Sequence, residues 1–213
     1  MTSPHRAAAT GVALALSLAL AGCSGGSGAP DGWTRVQDGW LQVDVPDDWT
    51  DAGALDDPWT LSRHDGDDAT VELAGAPTLG YYRAAEGRGI LLASMQVGGY
   101  PDFAVVEQSD PVDSGDLELT RTDFTYAAQD GGDRLEGVLW VGSDPATTKA
   151  VAVQLTGPDL PAEVVDQVQD SIAVLDTDAT PAPDDKHDRG GSQVPTLGPR
   201  ASRRARFARP VSP

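Results

Sequence analysis

The sequence predicts an α+β domain, an antiparallel β-sheet flanked by helices, and three observations predict it. Alternating apolar and polar stretches, separated by turn residues, run from Asp116 to Leu155. Behind them Leu160, Val164, Val168, Ile172 and Leu175 recur at helical spacing. Nearer the N-terminus an Asp/Gly cluster separates two further strand-like runs between Trp59 and Ala74.

In chain order, the first element is an export signal. His5 and Arg6 form a short basic start, and Ala7 to Ala21 are almost wholly small and apolar. That run of about 15 residues is shorter than the roughly 20 that span a bilayer as a helix. It ends in Leu20-Ala21-Gly22-Cys23, which resembles the bacterial lipobox. The resemblance implies cleavage between Gly22 and Cys23, acylation of the Cys23 sulfur, and a mature chain held on the outer side of the cell membrane. Cys23 is the only cysteine of the 213 residues and falls where a lipobox needs it. One acyl chain holds marginally and two hold stably, at about 0.8 kcal/mol per buried methylene. Residues 1–22 are thus expected to be a lipoprotein signal peptide, and residues 23–32, rich in Gly and Ser, a flexible tether. Gly22-Cys23-Ser24-Gly25-Gly26 also matches the G-x-S-x-G nucleophile elbow. That motif requires a strand before it and a helix after it, and here a signal and a tether take those places.

The globular domain is expected over residues 33–176. Trp40 to Val45 alternates and stops at Pro46, a strand signal, and Asp47-Asp48-Trp49 turns the chain. Trp59 to Arg63 and Ala69 to Ala74 form a hairpin around His64-Asp65-Gly66-Asp67-Asp68. Residues 79–97 admit two readings: a helix from Tyr81 to Met95, weakened by Gly87 and Gly89, or a strand from Ile90 to Val97; the helix is preferred. Phe103 to Glu107 reads as a strand. Asp116 to Ala127 follows, with Thr120, Thr122, Phe124 and Tyr126 on one side. Gln129 to Asp133 turns into Arg134 to Val141, where Val138 and Trp140 share one face and Leu135, Leu139 and Val141 the other. Lys149 to Leu155 aligns Val151, Val153 and Leu155. Apolar residues on both faces predict that both are at least partly covered. The closing helix has Pro161 in its first turn, where a missing N–H costs little, and Glu163 and Asp166 near its positive end. Residues 177–213, rich in Pro, Asp and Gly, are expected to be a disordered tail.

Charge separates the body from this tail. Residues 23–176 carry 29 acids against 7 bases, a net charge near −22. Such a surface repels phosphate backbones and excludes nucleic acid as a partner of the body. The tail ends instead with Arg200, Arg203, Arg204, Arg206 and Arg209 and no acid among them. That segment has three readings: contact with anionic lipid or envelope polymer, at about 1 kcal/mol per basic residue, a return onto the acidic body, or no role.

The residue inventory marks no catalytic site. His64 is the only histidine of the body, so a Ser-His-Asp arrangement would have to use it. Acylated Cys23 leaves neither a thiol nucleophile, nor a thiolate metal site, nor a disulfide. The sequence has no Walker A motif, no G-x-G-x-x-G and no H-E-x-x-H. Asp65, Asp67 and Asp68 have the look of a calcium loop, but Ala69 and Ala76 occupy the positions of the fifth-place ligand and the closing Glu. No cofactor and no metal site are expected.

Two stretches carry a family resemblance. One is Trp40 to Trp49, a strand running into Val-Pro-Asp-Asp-Trp; the other is Val151 to Gly157 followed by a helix ending Asp170-Ser171-Ile172-Ala173-Val174. Together with the element order they resemble the PsbP-like α/β/α sandwich and small bacterial lipoproteins of that fold. Members of that group are mostly accessory or binding proteins, among them an extrinsic photosystem subunit and a factor binding a small GTPase. The resemblance implies no shared catalytic residue, and a fold alone transfers no function. The function expected is a membrane-anchored envelope lipoprotein with a non-catalytic binding or accessory domain. The alternatives are an envelope hydrolase using a carboxylate pair and a structural spacer whose basic tail binds anionic polymer.

Overall fold

A computed structural model describes residues 28–178 apart from residues 54, 67–69 and 129–131. The predicted signal peptide, Leu20, Ala21, Gly22 and Cys23, the first part of the tether, the C-terminal arginines and the turn aspartates Asp67 and Asp68 lie outside the described residues.

In chain order the elements are β1 (Trp33–Asp38), β2 (Leu41–Pro46), β3 (Thr50–Asp51), β4 (Leu61–His64) and β5 (Glu72–Tyr81). Helix α1 (Ala84–Ser94) runs on into a single π turn, Met95–Gly99. Then come β6 (Ala104–Gln108), β7 (Val112–Asp113), β8 (Glu118–Ala127), β9 (Arg134–Ser143), β10 (Lys149–Gly157), helix α2 (Ala162–Ser171) and β11 (Ala173–Val174). The fold is α+β. Its main sheet has the order β3-β4-β5-β10-β9-β8-β6, with β7 also on β8, and all its pairings are antiparallel. A small sheet, β1-β2-β11, packs over it.

Alternation in the long strands sends side chains to two separate cores. Val138, Trp140, Val151, Val153 and Leu155 pack with β2 and with Val165 and Val168 of α2. Phe124, Tyr126, Leu139, Val141 and Ala152 pack on the other face with Leu91, Leu92 and Met95. Both faces of the sheet are therefore covered, one by α1 and the other by α2 with the small sheet. Gly87 permits the close seat of α1, since a Cβ there would stand 3.1 Å from Val141 Cγ1.

Most expected elements are present; the sequence did not mark the two-residue strands β3 and β7, and four larger differences stand beside them. Trp33–Asp38 is a strand that the sequence did not mark; it pairs residue for residue with β2. The return strand of the first hairpin continues past Ala74 to Tyr81, because β10 pairs along that length. The helix of the 79–97 region accordingly starts only at Ala84. The closing helix differs most. Pro161 is its N-cap rather than a first-turn residue, and it stops at Ser171. Ile172 is extended, Ala173–Val174 pairs with β2, and the Leu175 N–H donates to the Trp40 carbonyl. Edge hydrogen bonds of the small sheet take the backbone that the apolar stripe assigned to helix. Within α2 the more deeply buried positions are Val165 and Val168, while Val164 and Leu160 pack at the core's margin.

Candidate functional site

The register of β8 and β9 places Arg121 opposite Trp140, Asp123 opposite Val138 and Thr125 opposite Glu136, all on the α2 face. Helix α2 crosses this face, and Gln169 ties it to the sheet. Its Oε1 accepts from the Trp140 indole N–H at 3.0 Å and from Arg121 Nη1 at 3.3 Å. The Arg121 guanidinium also grips Asp123, with Nη2 to Oδ1 at 2.8 Å, and its carbon lies 6.0 Å from the Trp140 ring centroid. Arg121 is thus a spent cation. Its charge is neutralised by Asp123, and its planar fork and stacked face are both engaged.

An open groove lies on each side of this strut. One, of about 400 Å³, has a floor of Val138, Val165 and Leu160 and is edged by Val106. Its polar rim holds Asp123, Glu136 and Asp166, three carboxylates against Arg121 alone. Glu107 on β6 stands directly opposite Asp123 and adds to the negative potential. The other, of about 420 Å³, runs past Val112, Leu117, Leu119 and Ile172 and is edged by Arg121 and Asp170. Edge strand β6 is exposed along its whole length, with Val106 at 66% exposure. The apolar floor and acidic rim of the first groove suit a segment that is both apolar and cationic, and they disfavour anions.

The residues that the sequence singled out do not assemble elsewhere. His64 ends β4, where its Nε2 lies 3.1 Å from Thr50 Oγ1 and its Nδ1 lies 3.0 Å from the Gly66 carbonyl. These contacts hold the hairpin together. Asp65 accepts from the backbone N–H groups of Thr70 and Val71 at 2.6 and 2.8 Å, so its carboxylate closes the turn. Among the described residues no group of three or more His, Cys, Asp or Glu side chains is placed to hold a metal ion. Asp44 is the fully buried carboxylate among those residues, and Arg35 pairs with it at 2.8 Å. Gln167 Nε2 donates to it at 3.2 Å, and the backbone N–H of Asp44 donates to Ser171 Oγ. The carboxylate-pair hydrolase thus lacks two buried acids facing across a cleft among the described residues. On the opposite face of the sheet, Gln154 donates to the Tyr100 hydroxyl beside Tyr126 and Glu72. Burial pushes both tyrosine hydroxyls up from the ordinary phenol range.

The grooves are not legible in the sequence because their walls come from segments far apart in the chain, four of them in the first groove. The only available signal was the unusual edge strand, with three apolar residues in a row ahead of Glu107.

No protein-family model matches the chain, and no curated protein matches it. Solved structures do show similarity. The Saccharomyces cerevisiae Ran-binding protein Mog1p aligns at 11% identity and a TM-score of 0.48, over 68% of this chain and 96% of Mog1p. A mutant of Mog1 aligns at 10% identity and a TM-score of 0.48, over 68% and 97%. PA94 of Pseudomonas aeruginosa, a protein of unknown function, aligns at 13% identity and a TM-score of 0.34, over 63% and 87%. Similarity at this level carries neither a partner nor a function to the present chain.

Proposed function

We propose that this protein is a lipid-anchored envelope lipoprotein whose acidic domain binds a partner rather than catalysing a reaction. The observation that carries the reading is Leu20-Ala21-Gly22-Cys23, holding the sole cysteine directly after a short apolar run. Residues 24–27 then lead to the described domain, which begins at Gly28 with β1 following closely. An anchor so near the first strand keeps the domain at the membrane surface. The finer fold assignment, a PsbP-like α/β/α sandwich, belongs to the same proposal; α1 and α2 on opposite faces of one antiparallel sheet support it. The binding element is the first of the two grooves beside α2, whose acidic rim selects basic or apolar partners over phosphate-rich ones.

Expression of the full chain in a bacterial host with labelled palmitate tests the anchor. The wild type should take up label and sediment with membranes, and Cys23→Ala should lose both. An unlabelled wild type recovered from the cytosol would overturn the reading. Binding is tested by capture from solubilised envelopes, comparing wild type with Asp166→Lys. A partner that is retained equally by both would remove the groove from the proposal.

A further inference from the structure

The groove between β8, β9 and α2 has an apolar floor and an acidic rim, and the same chain carries a segment with the complementary composition. We propose that residues 200–209, Arg-Ala-Ser-Arg-Arg-Ala-Arg-Phe-Ala-Arg, dock into this groove in the free protein. This inference goes beyond the lipoprotein reading and does not depend on acylation.

Charge complementarity is the first support. The groove sets Asp123, Glu136 and Asp166 against a single guanidinium that Asp123 already neutralises. The segment offers five guanidiniums and no carboxylate. Guanidiniums also suit carboxylate rims geometrically, because they donate in a planar fork. Shape is the second support. Val138, Val165 and Leu160 form an apolar floor that a wholly polar ligand would leave unfilled. Phe207 lies inside the arginine run and is the only aromatic residue after Trp140. Its ring supplies the apolar body that the floor lacks.

Reach is the third support. The described chain ends near Lys149 and Gly39, where Thr177 bonds to both. The groove lies toward the other end of β10, since Glu136 and Val138 pair with Gly157 and Leu155. Seven strand residues at about 3.3 Å each put the exit and the groove roughly 25 Å apart. The 22 peptide steps from Asp178 to Arg200 would cover about 25 Å r.m.s. under flexible-chain statistics. Effective concentration is highest when linker length matches the span, so weak contacts suffice to populate the docked state.

The experiment uses the full chain with Phe207 replaced by the photoreactive p-benzoylphenylalanine. Irradiation at low protein concentration, followed by peptide mass spectrometry, maps the adducts. Expected are intramolecular adducts concentrated on Val106, Val138, Leu160 and Val165. Their yield should fall several-fold when ionic strength rises from about 0.1 M to about 1 M, shortening the Debye length from about 10 to about 3 Å. It should fall similarly in Glu136→Lys/Asp166→Lys. Both residues are exposed, and an unchanged circular dichroism spectrum checks that this variant is folded. Arg203→Glu/Arg204→Glu/Arg206→Glu leaves the body untouched and should lose the adducts as well. Adducts scattered over the body, or indifferent to both charge reversals, would overturn the proposal. Adducts formed only between two molecules would make a second copy the occupant and overturn it too. So would retention of the segment by anionic vesicles with no adduct on the body in their absence.

Discussion

Glu72 stands where ionisation is costly. Burial raises its pKa from the ordinary carboxylate value, and the charge of His64 across the strand pair offsets only part of that rise. The folded state therefore holds this proton more tightly than the unfolded chain. Stability from the neutral form is fully present below the unfolded-state pKa and is lost as pH rises through the folded-state pKa. Glu72→Gln should accordingly raise the thermal midpoint at pH about 7 and confer no advantage below pH about 4. Melting curves at both values check this, and an equal shift at both would contradict it. A second prediction at this scale concerns Gly137. A Cβ there would overlap the Phe124 ring, which lies across it on β8. Gly137→Ala should cost about 1–3 kcal/mol, read as a lower denaturant midpoint at unchanged slope. The strand-interior glycine was visible in the sequence, but its reason was not, because Phe124 becomes its neighbour only through register.

The two glycines that weakened the reading of helix α1 have different roles. Gly87 faces Val141 and Leu79 closely, whereas a Cβ on Gly89 would meet nothing within 4 Å. Gly89→Ala should therefore stabilise the protein by about 0.5–1 kcal/mol through helix propensity alone. A urea titration measures the gain, and a loss would show that Gly89 has an unrecognised contact. Helix α2 teaches the converse. Its apolar periodicity continued to Leu175, yet the helix ends at Ser171 and the next residues join β2. Periodicity reports which side chains are buried, not which backbone partner they find. Strand β6 shows the same limit. Its apolar run was legible as a strand, but its place at the sheet edge came from pairing with β8 alone.

At the scale of the whole molecule, charge is the dominant feature. With 29 acids against 7 bases in residues 23–176, self-repulsion opposes compactness, and salt screens it. Raising sodium chloride from about 0.02 M to about 0.3 M should raise the thermal midpoint of the full chain. A fall would mean that ion pairs such as Arg83–Glu118 and Lys149–Asp176 outweigh the repulsion. Legible along the chain alone are the α+β class, the long hairpin strands with their two faces, and the acidity of the body. Each of these follows from local periodicity, turn chemistry or composition, which neighbours along the chain are enough to express. The small sheet, the early end of α2 and the grooves beside Arg121 emerge only in the folded chain. Those depend on which distant segments meet, and that choice is set by packing and by competition for backbone hydrogen bonds, which no stretch of sequence displays on its own.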